Sequence, residues 1–347
     1  MPRADLALVG FGSVGRRFAS LLREQRPKLL AAHGLDCRIV GIATGRHGAI
    51  FRDDGVDAED AVQRRQRGER LGEDGSAFEI VDRLTGCSAP IRVVVETTPL
   101  DIVAAEPALV HVERALDAGL DVVTANKGPV AFAYRRLRER AAVKGVSFLF
   151  EGAVMDGVPI FNLVRETLPA LEIRGFRGIV NTTTQHVLLA LERGEELDGA
   201  LRRMQAEGIA EADPALDIEG WDAAAKTAAL ANVLMDADLT PHAVERAGLD
   251  GTTGKAARDA LATGRRLRLV VAATREGAGV RASVGPTLVD GGDLLAALPD
   301  RGNALILSTD LLGEIAVCQL GGDVTQTAYA LLSDLITIVR RRAANQP

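Results

Sequence analysis

Six residues near the N-terminus constrain this chain more than any other feature. Gly10-Phe11-Gly12-Ser13-Val14-Gly15 follows an apolar run, Asp5–Val9, and leads into Val14, Phe18, Leu21 and Leu22 at helical spacing. Strand, glycine turn and helix in that order open a doubly wound sheet. Gly10 permits a tight bend, Gly12 lets the backbone approach a phosphate, and Gly15 lets the helix pack close to the sheet. The first helical N–H groups then face an anion. The pattern predicts a dinucleotide pyrophosphate held at Gly10, Phe11, Gly12, Ser13, Val14 and Gly15; the alternative is a turn with only a structural purpose.

The pattern continues. Cys37–Ala43, Ile91–Val95, Asp121–Thr124 and Val146–Phe150 read as further strands, with helices over Pro107–Ala118 and Phe132–Val143. Continuous apolar strands separated by helices predict a parallel sheet covered on both faces. The stretch from Arg46 to Gly86 is rich in Arg, Asp, Glu and Gly and reads as a polar excursion with room for a helix. Beyond Glu151 helices dominate: Pro159–Leu168, Thr184–Arg193, Glu196–Glu207 and Trp221–Leu234. The strand candidates there are Glu172–Val180, Leu267–Ala273, Val280–Val284, Asn303–Leu307 and Ile315–Gln319. Elements grouped in this way predict an α+β second domain. The chain therefore divides into a Rossmann-type α/β dinucleotide-binding domain over 1–150, an α+β domain over 151–320, and a segment over 321–347 with a helix at Thr325–Arg342.

Composition narrows the function. With 347 residues and a net charge of −6 the chain has no basic stripe for nucleic acid. No apolar run reaches the roughly 20 residues of a membrane helix, and no signal-peptide pattern opens the chain. Cys37, Cys87 and Cys318 are scattered and odd in number, as expected of free thiols in a reducing cytoplasm. After the second strand, where an acidic residue would hold the ribose of NAD, the chain reads Thr44-Gly45-Arg46. Thr44 and Arg46 suit a 2′-phosphate, which favours NADP over NAD.

Two strand ends carry chemistry. Glu96-Thr97-Thr98-Pro99 ends the third clear strand and Thr124-Ala125-Asn126-Lys127-Gly128-Pro129 the next, at the edge where such sheets bind ligands. Further on, Glu211-Ala212-Asp213-Pro214-Ala215-Leu216-Asp217 leads into Gly220-Trp221-Asp222 and Lys226. Asp222 and Lys226 fall four apart on one helix face, so the carboxylate can orient the ammonium. A lysine beside a reacting oxygen can exchange a proton with it. Glu211 and Asp217 add carboxylates for a substrate ammonium. In isolation such a pair is most often a surface ion pair of little consequence.

With these segments in view, the chain resembles the homoserine dehydrogenase family over nearly its full length. The resemblance implies NAD(P)-dependent interconversion of L-homoserine and L-aspartate 4-semialdehyde, in amino-acid biosynthesis, by a homodimer whose α+β domain over 151–320 is the catalytic and dimerisation domain and whose segment over 321–347 returns to the cofactor domain. It implies cofactor contacts at Thr97, Thr98 and Gly322, and Lys127 between nicotinamide and substrate. Lys226, Lys127 and Asp222 would be catalytic. Thr183, within Asn181-Thr182-Thr183-Thr184-Gln185, would bind substrate with Glu211 and Asp217. Thr182 and Gln185 depart from the usual glycine and asparagine. The resemblance also implies a monovalent cation, sodium or potassium, on backbone carbonyls at Glu151, Val154, Asp156 and Val158. There Met155-Asp156 departs from a glycine-rich turn and predicts weak dependence on the ion; Asp323 departs as well. Longer members carry a regulatory domain after the last helix, whereas this chain ends at Pro347, so a short form is expected. The departures keep a dehydrogenase of another small amino or hydroxy acid as an alternative. A nucleotide sensor without turnover is a further one, although it has no need of two lysines.

Overall fold

The computed structural model describes residues 3–73, 75–206 and 214–344, which form two compact units, 1–159 with 323–347, and 160–322. In the first unit the elements are β1 (Arg3–Val9), α1 (Ser13–His33), β2 (Asp36–Ala43), β3 (Ala49–Phe51), α2 (Ala58–Gln66), α3 (Ala77–Thr85), β4 (Ile91–Glu96), α4 (Ala108–Asp117), β5 (Asp121–Thr124), α5 (Lys127–Lys144) and β6 (Phe148–Leu149). The sheet order is β3-β2-β1-β4-β5-β6. Every pair is parallel except β2 with β3. The order reverses between β1 and β4, so the turns after these strands open at the switch point where such sheets bind ligands. Leu6, Leu8, Val93, Val95 and Val123 form a buried sheet face against Phe18 of α1. The C-terminal helix, which closes the chain at Val324–Ala344, adds Leu331 and Leu335 to this same core.

Three local expectations change. The polar stretch after Arg46 holds an edge strand and two helices, α2 and α3. Asp57 caps α2 by accepting from the N–H groups of Glu59 and Asp60, and Ser76 with Glu79 forms a reciprocal capping box on α3. Charged residues outnumber apolar ones in α2, and α3 is only nine residues long, which hid them. Helix α5 begins at Lys127, where Asn126 caps it and Pro129 is tolerated in a first turn, and is kinked at Ala133, so that its second part is the helix expected over Phe132–Val143. The strand expected at Val146–Phe150 pairs only over Phe148–Leu149.

The second unit contains α6 (Ile160–Asn162), β7 (Ile173–Ile179), α7 (Thr182–Glu192), α8 (Leu197–Ala206), α9 (Ala215–Ile218), α10 (Trp221–Leu234), β8 (Glu245–Arg246), α11 (Thr253–Ala262), β9 (Arg265–Glu276), β10 (Gly279–Asp290), β11 (Asn303–Thr309) and β12 (Glu314–Gln319). The helix expected over Pro159–Leu168 is one α-turn, widening over Leu163–Thr167 and stopping at Leu168, where the following Pro169 disfavours helical backbone. The sheet order is β12-β11-β7-β9-β10-β8, antiparallel apart from β10 with β8. Helices α7, α10 and α11 pack on it. Among the described residues no helix is long and apolar enough to cross a membrane.

Candidate active site

In the first unit, the glycine turn fits a dinucleotide. Gly10 has φ +93, and a β-carbon there would lie 2.6 Å from the Thr97 carbonyl. Only glycine meets both conditions. Gly12 is the N-cap of α1 and has no side-chain cap; a β-carbon on it would meet nothing within 4 Å. Ser13, Val14 and Gly15 thus offer first-turn N–H groups above an open surface, as an anion requires. Phe11 is buried beneath the turn. Thr97 ties the next strand end to it, donating from its hydroxyl to the Gly10 carbonyl at 3.0 Å.

Thr44 and Arg46 stand in the hairpin between β2 and β3. The Thr44 hydroxyl is spent inside that turn: it donates to the Gly48 carbonyl at 3.0 Å and accepts from the His47 N–H at 2.8 Å. Arg46 is exposed and forms no ion pair among the described residues. Sequence reasoning missed two neighbours. The chain returns after α2, and the Leu71 N–H donates to the His47 carbonyl at 2.8 Å. This brings Arg70 to the turn, its guanidinium 3.4 Å from where a Gly48 β-carbon would stand. Desolvation first, and then Arg65, Arg46 and Arg70, hold the His47 imidazole below its ordinary value. The end of β2 is therefore ringed by cations.

Lys127 occupies the first position of α5, where its charge opposes the helix dipole. The Thr98 N–H and hydroxyl both donate to Glu96 Oε1.

The second unit gathers the other predicted residues. Gly220, at φ +81, turns α9 into α10 and so brings Asp217 beside Asp222. Lys226 Nζ lies 3.1 Å from Asp222 Oδ2 and donates to the Val180 carbonyl at 2.6 Å; both side chains of the pair are about 15% exposed. Asn181 Nδ2 donates to Asp217 Oδ1 at 2.7 Å and to Asp222 Oδ2 at 2.9 Å. Its Oδ1 accepts from the Thr184 N–H and caps α7. Thr183 hydrogen-bonds to Asp217. Burial first, and next the Asp222 carboxylate, push Asp217 above the ordinary carboxylate range, against the opposing pull of Asn181, Lys226 and Thr183. Asn181 is legible in sequence only as a helix cap; that it forks two carboxylates 36 and 41 residues away is not. Glu211 lies outside the described residues. Gly322 is the last residue of this unit. Thr182 accepts from Asn303 Nδ2 at 3.4 Å.

Around the expected cation turn, Glu151, Val154 and Val158 are buried. Asp156 is left-handed, with φ +50, and accepts from the Thr327 hydroxyl at 3.0 Å. The Val158 N–H donates to the Met155 carbonyl at 2.9 Å.

Two family models cover most of this chain: "Homoserine dehydrogenase, NAD binding domain" over residues 10–151, and "Homoserine dehydrogenase" over residues 159–336. The chain belongs to the homoserine dehydrogenase family. An NAD(+)-dependent homoserine dehydrogenase of Pseudomonas canavaninivorans is 36% identical over 342 residues, 97% of each chain. The homoserine dehydrogenase of Methanocaldococcus jannaschii is 35% identical over 96% of this chain and 98% of its own. Among solved structures, one from Thiobacillus denitrificans superposes with a TM-score of 0.84 at 30% identity, covering 99% of this chain and 75% of that one. A hyperthermophilic archaeal homoserine dehydrogenase in complex with NADPH superposes with a TM-score of 0.80 at 26% identity over 98% of both. As a homoserine dehydrogenase, the chain is an NAD(P)-dependent oxidoreductase.

Proposed function

We propose that Thr183, Asp217, Asp222 and Lys226 bind L-homoserine and that Lys226 handles the proton of its hydroxyl; Lys127, in the other unit, is proposed as catalytic on the family resemblance. The observation that carries this reading is the Asn181 fork, which holds two carboxylates beside one lysine ammonium. Two carboxylates and one ammonium match a substrate with an ammonium and a reacting oxygen. A bound nicotinamide would supply the acceptor or donor of the hydride at C4. In reduction the Lys226 ammonium, fixed by Asp222 and the Val180 carbonyl, gives its proton to the carbonyl oxygen as hydride reaches the carbon and is left as the neutral amine; oxidation is the reverse, the neutral amine taking the hydroxyl proton, and Asp222 orients it. Asp217 holds the substrate ammonium. Absorbance of the reduced nucleotide, read across a panel of amino-acid alcohols and hydroxy acids with both nucleotides, tests the substrate. Turnover is expected with homoserine well above any other member; a better alternative substrate, or none, refutes it.

Asp217 gives the reading a pH signature. Its value is raised in the folded chain, so the fold favours the protonated carboxyl. Ionisation therefore costs stability, increasingly as pH rises from the unfolded value, about 3.9, to the raised one. A substrate ammonium removes that cost. We expect kcat/KM for homoserine to rise with pH through an acid limb above the ordinary aspartate range, and Asp217→Asn to lower kcat/KM and abolish the limb. An unchanged limb in that variant counts against the assignment.

The basic ring at the end of β2 supports NADP as the preferred nucleotide. For the cation, the left-handed Asp156 with its committed side chain supports a weak dependence on sodium or potassium. Replacing both ions by a bulky organic cation at constant ionic strength should leave most activity, and abolition would overturn this. A homodimer is proposed on the family resemblance. Light scattering at micromolar concentration should give twice the chain mass; a monomer refutes it.

A further inference from the structure

Glu96 ends β4 and is fully buried, and it forms no ion pair among the described residues. Burying a carboxylate without a cation is costly unless hydrogen bonds replace the lost water. Here they do. One oxygen, Oε1, accepts from the Thr98 N–H at 2.7 Å and from the Thr98 hydroxyl. The other, Oε2, accepts from the Thr124 hydroxyl at 2.6 Å. Thr124 Oγ1 in turn accepts from the Asn126 N–H at 2.9 Å. Asn126 Nδ2 closes the ring by donating to the Thr98 and Pro99 carbonyls at 3.0 and 3.2 Å, while its Oδ1 accepts from the Gly128 N–H at 2.9 Å.

Strands β4 and β5 are already joined by their backbone ladder, with Glu96 opposite Thr124. The carboxylate therefore adds little to the pairing of the strands. What it fixes is the pair of turns beyond them, one carrying Thr97, which bonds to the glycine turn, and the other carrying Lys127. Desolvation pushes the carboxyl above its ordinary value, and the threonine hydrogen bonds pull it back.

We propose that Glu96 is a positioning residue for the nicotinamide end of the cofactor, locking the Thr97–Pro99 backbone and Lys127 into one geometry through Thr98, Thr124 and Asn126. The proposal rests on the reading of Lys127 as catalytic. Its test compares Glu96→Gln, Glu96→Ala, Thr124→Val and Lys127→Ala in the full chain. Three quantities are measured: kcat, affinity for the whole nucleotide, and affinity for its fragment lacking nicotinamide. Glu96→Ala and Thr124→Val should lower kcat by about 10- to 100-fold, the scale of a small misplacement, and leave fragment affinity within about threefold. Glu96→Gln, which keeps the shape and one acceptor, should recover most of kcat. Should Glu96→Ala fail to fold, Thr124→Val carries the test, since it is isosteric and removes a single hydroxyl. Wild-type kcat in Thr124→Val, or fragment affinity lost in proportion to kcat, overturns the proposal. If Lys127→Ala lowers kcat and the Glu96 and Thr124 variants do not, the proposal alone fails. If Lys127→Ala turns over normally, the catalytic reading fails with it.

Discussion

Replacing Lys226 by alanine should lower kcat for homoserine oxidation by about 10²–10⁴-fold, the usual contribution of a positioned acid or base. Nucleotide affinity should barely change, because the glycine turn and the basic ring belong to the other unit. The ammonium also has a neighbourhood to balance. Without it, Asp217 and Asp222 face each other with Asn181 as their shared donor, so the Asp217 value climbs further and substrate affinity falls. Asp222→Ala should also lower turnover. The double variant should be little worse than the more damaged single one, since the two side chains act as a unit. A merely structural pair predicts otherwise: a stability loss of about 1–3 kcal/mol for a charged hydrogen bond with turnover intact. Steady-state rates and melting curves of the three variants separate the outcomes.

Arg46→Ala should weaken NADP by about 10- to 150-fold, equivalent to the roughly 1.5–3 kcal/mol of a charge-assisted contact, and change NAD far less. The geometry makes the arginine, rather than Thr44, the discriminating group, since the Thr44 hydroxyl is used to close its own turn. Arg70, brought to the same turn by the Leu71–His47 hydrogen bond, should behave similarly but more weakly. Raising salt should narrow the difference, as it does for exposed charges. Equal losses for NADP and NAD in Arg46→Ala would mean that the arginine steadies the loop and does not read the phosphate. Dissociation constants from protein fluorescence with both nucleotides decide between the two.

Local periodicity carried much of the fold into view. Asp121–Thr124 and Trp221–Leu234 match their sequence expectation residue for residue, because each is an uninterrupted apolar or alanine-rich run between clear stops. The α2–α3 region did not: α2 buries only Ala61 and depends on its cap at Asp57, and α3 is a nine-residue helix whose buried Ile80, Val81 and Leu84 sit inside a charged, glycine-rich stretch. The site divides in the same way. Asp222 and Lys226 are legible because four residues on a helix fix their relation. The Asn181 fork, the Glu96 ring and the arrival of Arg70 at the β2 turn join residues far apart in sequence. Only tertiary packing sets such distances, and a single sequence carries no sign of them beyond residue type. The buried pairing of Glu192 with Arg268 was invisible for that reason too.

The most direct measurement of the central claim follows the hydrogen itself. Homoserine carrying two deuteriums at C4 is turned over with oxidised nucleotide, and both products are examined by mass spectrometry. The account predicts that one deuterium appears in the reduced nucleotide and one remains on the aldehyde carbon of aspartate semialdehyde. A reduced nucleotide without deuterium, or an aldehyde that keeps neither label, would contradict it.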